Sequence, residues 1–231
     1  MHRINSLEEK EKAFKKLKIG DISNYISPSD FEIFEYKKGE QIIECYTKME
    51  YMYFIYKGKI KIYIITENGK SLLLEFYHPH HVMGDLEFIT GDDSTCYVDA
   101  ITDCKVLAIS YEKLESLISE DVRFYKYISV GLAKKLRGSS NSSTINQLYP
   151  LKAKISTYIL GLAIDIENES FSREVELEKL KDVADLLGTS YRHLLRTFSE
   201  LEREGVIFQK GKKITILNLD LLKEFSADKY L

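Results

Sequence analysis

Cysteine, long apolar runs and net charge are all scarce in this 231-residue chain. Its three cysteines, Cys45, Cys96 and Cys104, are odd in number and form no Cys-x-x-Cys pair. Neither a disulfide framework nor a thiolate zinc site is therefore expected. They read as small buried apolar residues, with a redox-sensing Cys96–Cys104 pair as the alternative. No apolar run approaches the roughly 18 residues of a membrane span. The N-terminal stretch MHRINSLEEKEKAFKKLKIGD is charged throughout and lacks the apolar centre of a secretory leader. A cytoplasmic protein with no membrane partner is expected. The formal net charge of −3 argues against nonspecific coating of nucleic acid, though not against a local basic surface. A hydrophobic fraction of 44% and a charged fraction of 30% suit a globular chain of one large domain or two modest ones.

Residues 31 to 110 carry strand signals. Lys59-Ile60-Lys61-Ile62 alternates with period two, and Asn68-Gly69 between two β-rich runs is a hairpin signal. Short strands with turns at this spacing suggest a β-barrel or sandwich. Near residue 110 the period changes. Ser110 is a candidate N-cap, and Leu114, Leu117 and Ile118 have helical spacing. From Phe124 a ladder of i, i+4 steps continues through Ile128, Leu132 and Leu136, as either a core stripe or a dimer seam. GSSNSSTINQ then has poor helix propensity and reads as a linker or as a helix held only by packing. Gly138 to Pro150 is the expected hinge. After Pro150 come LKAKISTYILGLAIDI and VELEKLKDVADLLG, two predicted helices, the second ended by Gly188. Ser190 can cap a third helix, from Tyr191 to about Arg203, and VIFQKGKKITILN reads as a hairpin. No internal repeat is found. The order helix, helix, turn, helix, hairpin is that of a winged helix-turn-helix.

The third helix is the one expected to enter DNA. At about 100° per residue, Leu194, Phe198 and Leu201 fall on one side. Tyr191, Arg192, Leu195, Arg196 and Ser199 fall on the other. Arginine pairs bidentately with guanine O6 and N7, so Arg192 and Arg196 are assigned to base edges. Tyr191 is assigned to a phosphate or a thymine methyl, and Ser190 and His193 to phosphate. Between residues 186 and 213, six basic side chains stand against three acidic ones. Lys210, Lys212 and Lys213, at the hairpin tip, suit backbone contacts that give affinity without sequence information.

In order and spacing, YKGKIKIY with ENGK, HPHHVMGDLEF, LAKKLRG and VADLLGTSYRHLLRTFSELEREGVI resemble the Crp/Fnr family of bacterial transcription regulators. SYRHLLRTF is also similar to the YeiL-like branch. The resemblance covers about residues 21 to 220. It implies an α+β chain with an N-terminal β-roll (a cyclic-nucleotide-binding-like jelly roll), a long dimerisation helix and a C-terminal winged helix-turn-helix. The expected domains are an arm at 1–20, the β-roll at 21–110, the dimerisation helix and hinge at 111–146, and the winged helix at 147–231. The implied partners are double-stranded DNA with a near-palindromic site, a second copy through Phe124, Ile128, Leu132 and Leu136, and RNA polymerase if the protein activates.

Cyclic-nucleotide binders of that family carry Gly-Glu and, some ten residues on, an Arg that pairs with the phosphate. Here Gly84 and Asp85 match the first pair in kind, and Ser94-Thr95 stand where the Arg belongs. No Arg or Lys lies between Lys70 and Lys105, while Asp92 and Asp93 would repel a phosphate. Control by cyclic AMP is not expected. Asp85, Ser94, Thr95, Ser139 and Ser140 remain a candidate pocket for an unidentified effector. No cysteine precedes Cys45, which speaks against the iron–sulfur cluster of the Fnr branch. No cofactor is expected. Two readings compete with a regulator. One is a metal-dependent cupin-like enzyme using His78, His80 and Asp85, disfavoured because no later supporting histidine follows in the barrel. The other is a β-roll that binds a protein partner.

Overall fold

The computed structural model describes residues 2–67, 69–119, 121–165 and 170–227; Asn68 of the expected hairpin turn lies outside them. The chain divides into two compact units, Met1–Ile64 with Glu75–Ser139, and Ile65–Leu74 with Ser140–Leu231.

In chain order the elements begin β1 (His2–Ile4), α1 (Leu7–Lys16), β2 (Glu32–Tyr36), β3 (Gln41–Ile43), β4 (Tyr51–Lys57), β5 (Ile60–Ile65) and β6 (Ser71–Tyr77). They continue with β7 (Val82–Met83), α2 (Asp85–Thr90), β8 (Tyr97–Ala100), β9 (Cys104–Ser110), α3 (Tyr111–Ile118) and α4 (Val122–Leu148). The strands form two sheets, in the orders β1-β2-β9-β4-β7 and β3-β8-β5-β6. Period-two alternation selects the inward side chains. Met52 and Phe54 of β4, with Leu107 and Ile109 of β9, are at most 2% exposed. Phe14, Phe31 and Phe54 meet edge to face, with centroids 5.9 and 5.8 Å apart.

The segment read as an arm is part of this core. Ser6 caps α1 by accepting from the Glu9 amide, and Ala13 and Leu17 join the same apolar cluster. Its charges are the solvent face of an amphipathic helix, anchored where the Tyr56 hydroxyl donates to Glu9 (2.9 Å) and the Lys16 ammonium donates to the Tyr56 carbonyl (2.9 Å).

Ser110 caps α3 through the Lys113 amide. Asp121 then starts α4, its Oδ1 accepting from the Arg123 and Phe124 amides at 3.0 and 3.3 Å. Its other oxygen accepts from the Ser23 hydroxyl. Of the two readings of the Ser/Asn stretch, linker or helix, the helix is found: α4 runs through Gly138 to Leu148, and the division between the two units falls within it, after Ser139. Propensity is a weak prior, and residues added to an existing helix escape the nucleation cost.

The second unit adds α5 (Leu151–Ala163), β10 (Ile164–Asp165), β11 (Ser170–Phe171), β12 (Glu174–Glu176), α6 (Leu180–Leu186), α7 (Tyr191–Arg203), β13 (Ile207–Lys210), β14 (Lys213–Ile216) and α8 (Leu219–Phe225). The helix expected from Val175 is shorter than its apolar pattern. Val175 pairs with Ile214 in a sheet ordered β12-β14-β13, so the wing has three strands. Val175-Glu176-Leu177 alternates buried, exposed, buried, a period of two inside a stretch read as 3.6. Ile155, Ile159, Val183, Leu194, Leu201, Val206, Ile214 and Leu222 are each fully buried in this unit.

Candidate nucleic-acid interface and ligand pocket

The turn before α7 is tightly specified. Gly188 takes φ +64°, where an L side chain is strained. The Gly188 amide donates to the Asp185 carbonyl (3.0 Å) and the Thr189 amide to the Ala184 carbonyl (2.9 Å). Ser190 caps α7, accepting from the His193 amide at 3.2 Å. Leu194, Thr197, Phe198 and Leu201 are buried, while Tyr191, Arg192, His193, Arg196 and Ser199 are exposed. Arg192 and Arg196 lie one turn apart and have no ion pair among the described residues, so their guanidinium groups are available to a ligand. His193 is braced, its Nδ1 3.3 Å from the Thr189 hydroxyl. Thr189 is a contributor that sequence reasoning passed over; its place four residues before His193 was the available signal. Lys210, Lys212 and Lys213 are exposed around Gly211, whose carbonyl accepts from the Gln209 side chain (3.1 Å). Helix and wing thus present cations on solvent-facing positions, apart from the buried side of α7.

The candidate ligand pocket is not assembled as expected. Asp85 begins α2 and is 2% exposed. The preceding Gly84 has φ +80°, and a Cβ there would lie 2.7 Å from the Tyr51 carbonyl oxygen. Asp85 is already partnered, because the Lys135 ammonium donates to its Oδ1 and to the Val82 carbonyl (2.9 Å), 5.5 Å from the Tyr77 ring centroid. The positive charge missing between Lys70 and Lys105 therefore arrives from α4. Lys135 was overlooked because its partner lies 50 residues away. Its signal was the small residues one turn to either side. A Cβ on Gly138 would sit 3.1 Å from the Glu75 carboxylate, and one on Gly131 would sit 3.9 Å from Asp85. Ser94 is 1% exposed, with its hydroxyl donating to the Cys96 carbonyl (3.0 Å). Thr95 and Ser139 are exposed, and Ser140 belongs to the second unit. A cleft of about 570 Å³, lined by Phe34, Tyr51 and Tyr53 of the first sheet and Ile42 and Ile43 of the second, contains none of these five.

The dimer seam also needs correction. Phe124 and Ile128 are 0% and 2% exposed and lie in the β-roll core, with Leu132 packed at its edge and Leu136 70% exposed. An i, i+4 ladder turns by about 40° per step on a helix of 3.6 residues per turn. Phe124 and Leu136 are therefore about 120° apart and cannot share one seam.

Nor do the residues of the metal reading converge. The His78 ring meets the His81 ring edge to face (4.2 Å), His81 stacks on Tyr77 (4.4 Å), His80 is exposed, and Asp85 holds Lys135. Burial, with His78 nearby, pushes the His81 imidazole down to about 4. Among the described residues no three of His, Cys, Asp and Glu are grouped to hold a metal ion. Among them, too, no helix is long and apolar enough to cross a membrane.

A capped helix-turn-helix, a basic three-stranded wing and an N-terminal β-roll define a transcription regulator with a DNA-binding helix-turn-helix domain. Comparison with known proteins gives the same class. The family models for the cyclic nucleotide-binding domain and the Crp-like helix-turn-helix domain match residues 33–121 and 153–225. Regulatory protein YeiL of Escherichia coli O157:H7 is 27% identical over 210 residues, 90% of this chain and 89% of that protein. The fumarate and nitrate reduction regulatory protein of Vibrio cholerae serotype O1 is 26% identical over 196 residues, 83% and 77% of the two chains. The structure of FixK2 from Bradyrhizobium japonicum shares the fold, with a TM-score of 0.68, 22% identity and coverage of 86% and 98%. The chain belongs to the Crp/Fnr family of transcription regulators.

Proposed function

We propose that the protein works in the cytoplasm as a homodimer, not as an enzyme, and reads a near-palindromic DNA site without cyclic AMP. The observation that carries this reading is the pair of exposed, unpaired guanidinium groups of Arg192 and Arg196 on the capped helix α7. Their one-turn spacing suits adjacent base edges in the major groove. Tyr191, Ser190 and His193 flank them on the backbone side, and Lys210, Lys212 and Lys213 neutralise phosphates from the wing. Two copies place two such helices about one DNA turn apart.

The seam that supports dimerisation is Tyr125, Ser129, Leu132 and Leu136. Their 4, 3, 4 spacing keeps them on one stripe of α4, and Tyr125 and Leu136 are 39% and 70% exposed in the single chain. Independence from cyclic AMP is supported by Lys135, which already pairs with the buried carboxylate of Asp85, the residue in place of the family's Glu. An effector of this β-roll has to displace an ammonium. A shift between DNA-competent and incompetent dimers is the means of regulation. Activation through RNA polymerase is the direction the family suggests.

The test is fluorescence anisotropy with DNA from upstream of the protein's own gene against a scrambled duplex, at low and near-physiological salt. Nanomolar, sequence-dependent binding with no added nucleotide is expected. Specific binding that appears only after cyclic AMP is added would refute the effector reading, and a monomer at micromolar concentration would refute the seam.

A further inference from the structure

We propose that Cys45 and Cys96 form a redox-active dithiol of the β-roll that closes to an intramolecular disulfide under peroxide. Strand register brings them together. Ile43 of β3 pairs antiparallel with Val98 of β8. The strands end there: Cys45 follows in the turn after β3, and Cys96 stands immediately before β8. Beyond them the segments remain joined, the Tyr46 amide donating to the Ser94 carbonyl (2.7 Å) and the Ser94 amide to the Thr47 carbonyl (3.0 Å). Ile43 and Val98 are buried, and so is Cys45, at 7% exposure; Cys96 is half-buried. Cys45 and Cys96 thus lie between two points of antiparallel backbone pairing, Ile43 with Val98 and Tyr46–Thr47 with Ser94, where facing Cα atoms stand about 4.5–5.5 Å apart, within the roughly 4.4–6.8 Å that a disulfide spans.

The same register excludes the Cys96–Cys104 pair that spacing alone suggested. The Cys104 thiol is fully buried and donates to the Lys59 and Thr102 carbonyls, each at 3.2 Å. Cys96 adjoins Tyr97, which pairs with Tyr63, four residues along from Lys59. That is about 13 Å of strand.

Cys96, the more exposed thiol, reacts first. Its thiolate sulfur attacks one peroxide oxygen, the O–O bond breaks, and the departing hydroxide takes up the thiol proton as water. Cys96 is then a sulfenic acid. The Cys45 sulfur attacks the Cys96 sulfur, the S–O bond breaks, and hydroxide leaves with the Cys45 proton as a second water. Two thiols are oxidised and one peroxide is reduced to two waters. Burial, with Glu87 nearby, pushes the Cys96 thiol up to about 11, partly offset by a hydrogen bond from Ser94. Thiolate is therefore scarce at neutral pH, and the pair answers sustained rather than brief oxidation. Once formed, the bond ties the 44–47 turn to β8 beside Ser94.

The experiment treats the full-length protein with millimolar hydrogen peroxide for increasing times. Remaining thiols are alkylated under denaturing conditions, and unreduced peptides are identified by mass spectrometry. A Cys45–Cys96 linked peptide is expected to replace most of both free peptides and to revert with dithiothreitol. Cys104→Ser leaves its yield unchanged. Cys45→Ser abolishes the link and leaves a Cys96 sulfenic acid that dimedone traps. The proposal is overturned if Cys96 links to Cys104, if links form only between molecules, or if both thiols are still alkylated after glutathione in the same tube is consumed.

Discussion

Lys135→Met removes the ammonium from a carboxylate that has almost no access to water. The Asp85 side chain is 3% exposed and that of Lys135 26%, so the lysine end keeps some solvent. Removing one member of a buried ion pair costs about 3–5 kcal/mol, because the other charge stays buried and unpaired. Partial solvation of the lysine lowers the expectation here to about 2–4 kcal/mol. The Lys135→Met, Asp85→Asn double variant buries no charge. It should lose only about 1–2 kcal/mol, the scale of a lost hydrogen bond to the Val82 carbonyl. The assay is urea unfolding followed by far-ultraviolet circular dichroism. At a slope of about 2 kcal/mol/M, the single variant shifts the midpoint down by about 1–2 M, and the double variant recovers at least half of that shift. An unchanged midpoint for Lys135→Met, or a double variant no more stable than the single one, would show that the ammonium contributes nothing to holding α4 on the β-roll.

Arg196→Ala should cost about 1–3 kcal/mol on cognate DNA and relax the site at one base pair, whereas Lys212→Ala weakens cognate and random duplexes alike; equal losses for Arg196→Ala on both duplexes would remove it from base reading. Leu136→Glu should give a folded monomer by sedimentation, with an unfolding midpoint that no longer rises with protein concentration. Phe124→Ala should cost about 3–5 kcal/mol of stability, as a fully buried ring does; a stable Phe124→Ala monomer would return that residue to the seam. The depressed imidazole of His81 stays neutral in the fold but takes up a proton in the unfolded chain below its ordinary value of about 6.5. Stability from this group is complete above that value and is lost as pH falls toward about 4. The slope has a ceiling of about 1.4 kcal/mol per pH unit. His81→Phe should flatten that acid limb in urea unfolding, and an unaltered limb would assign it to other groups.

Local chemistry was the part of this structure legible in the sequence. Gly188 and Ser190 marked the turn and the cap because a left-handed backbone and an orphaned amide demand particular residue types. Alternation at residues 59–62 and the lysines around Gly211 marked strands and wing for the same reason. Illegibility began where a pattern has the same appearance under two partners. The charges of α1 conceal a core helix because its apolar face, Ala13 and Leu17, is small beside its lysines and glutamates. Val175 to Leu177 is three residues long, too short to separate a period of two from one of 3.6. The α4 ladder is the deeper case. Steps of four drift around a helix, while alternating steps of four and three do not, so Phe124 and Ile128 belong with the core and Tyr125 and Leu136 with solvent. Lys135 follows from that rotation. Once the Phe124 side of the helix is placed against the β-roll, residues 131, 135 and 138 must face it too. Two of them are glycines, and the third is a cation that needs an acid there. Residues 71–104 contain no Arg or Lys, because the helix, not the local sequence, carries the cation to Asp85.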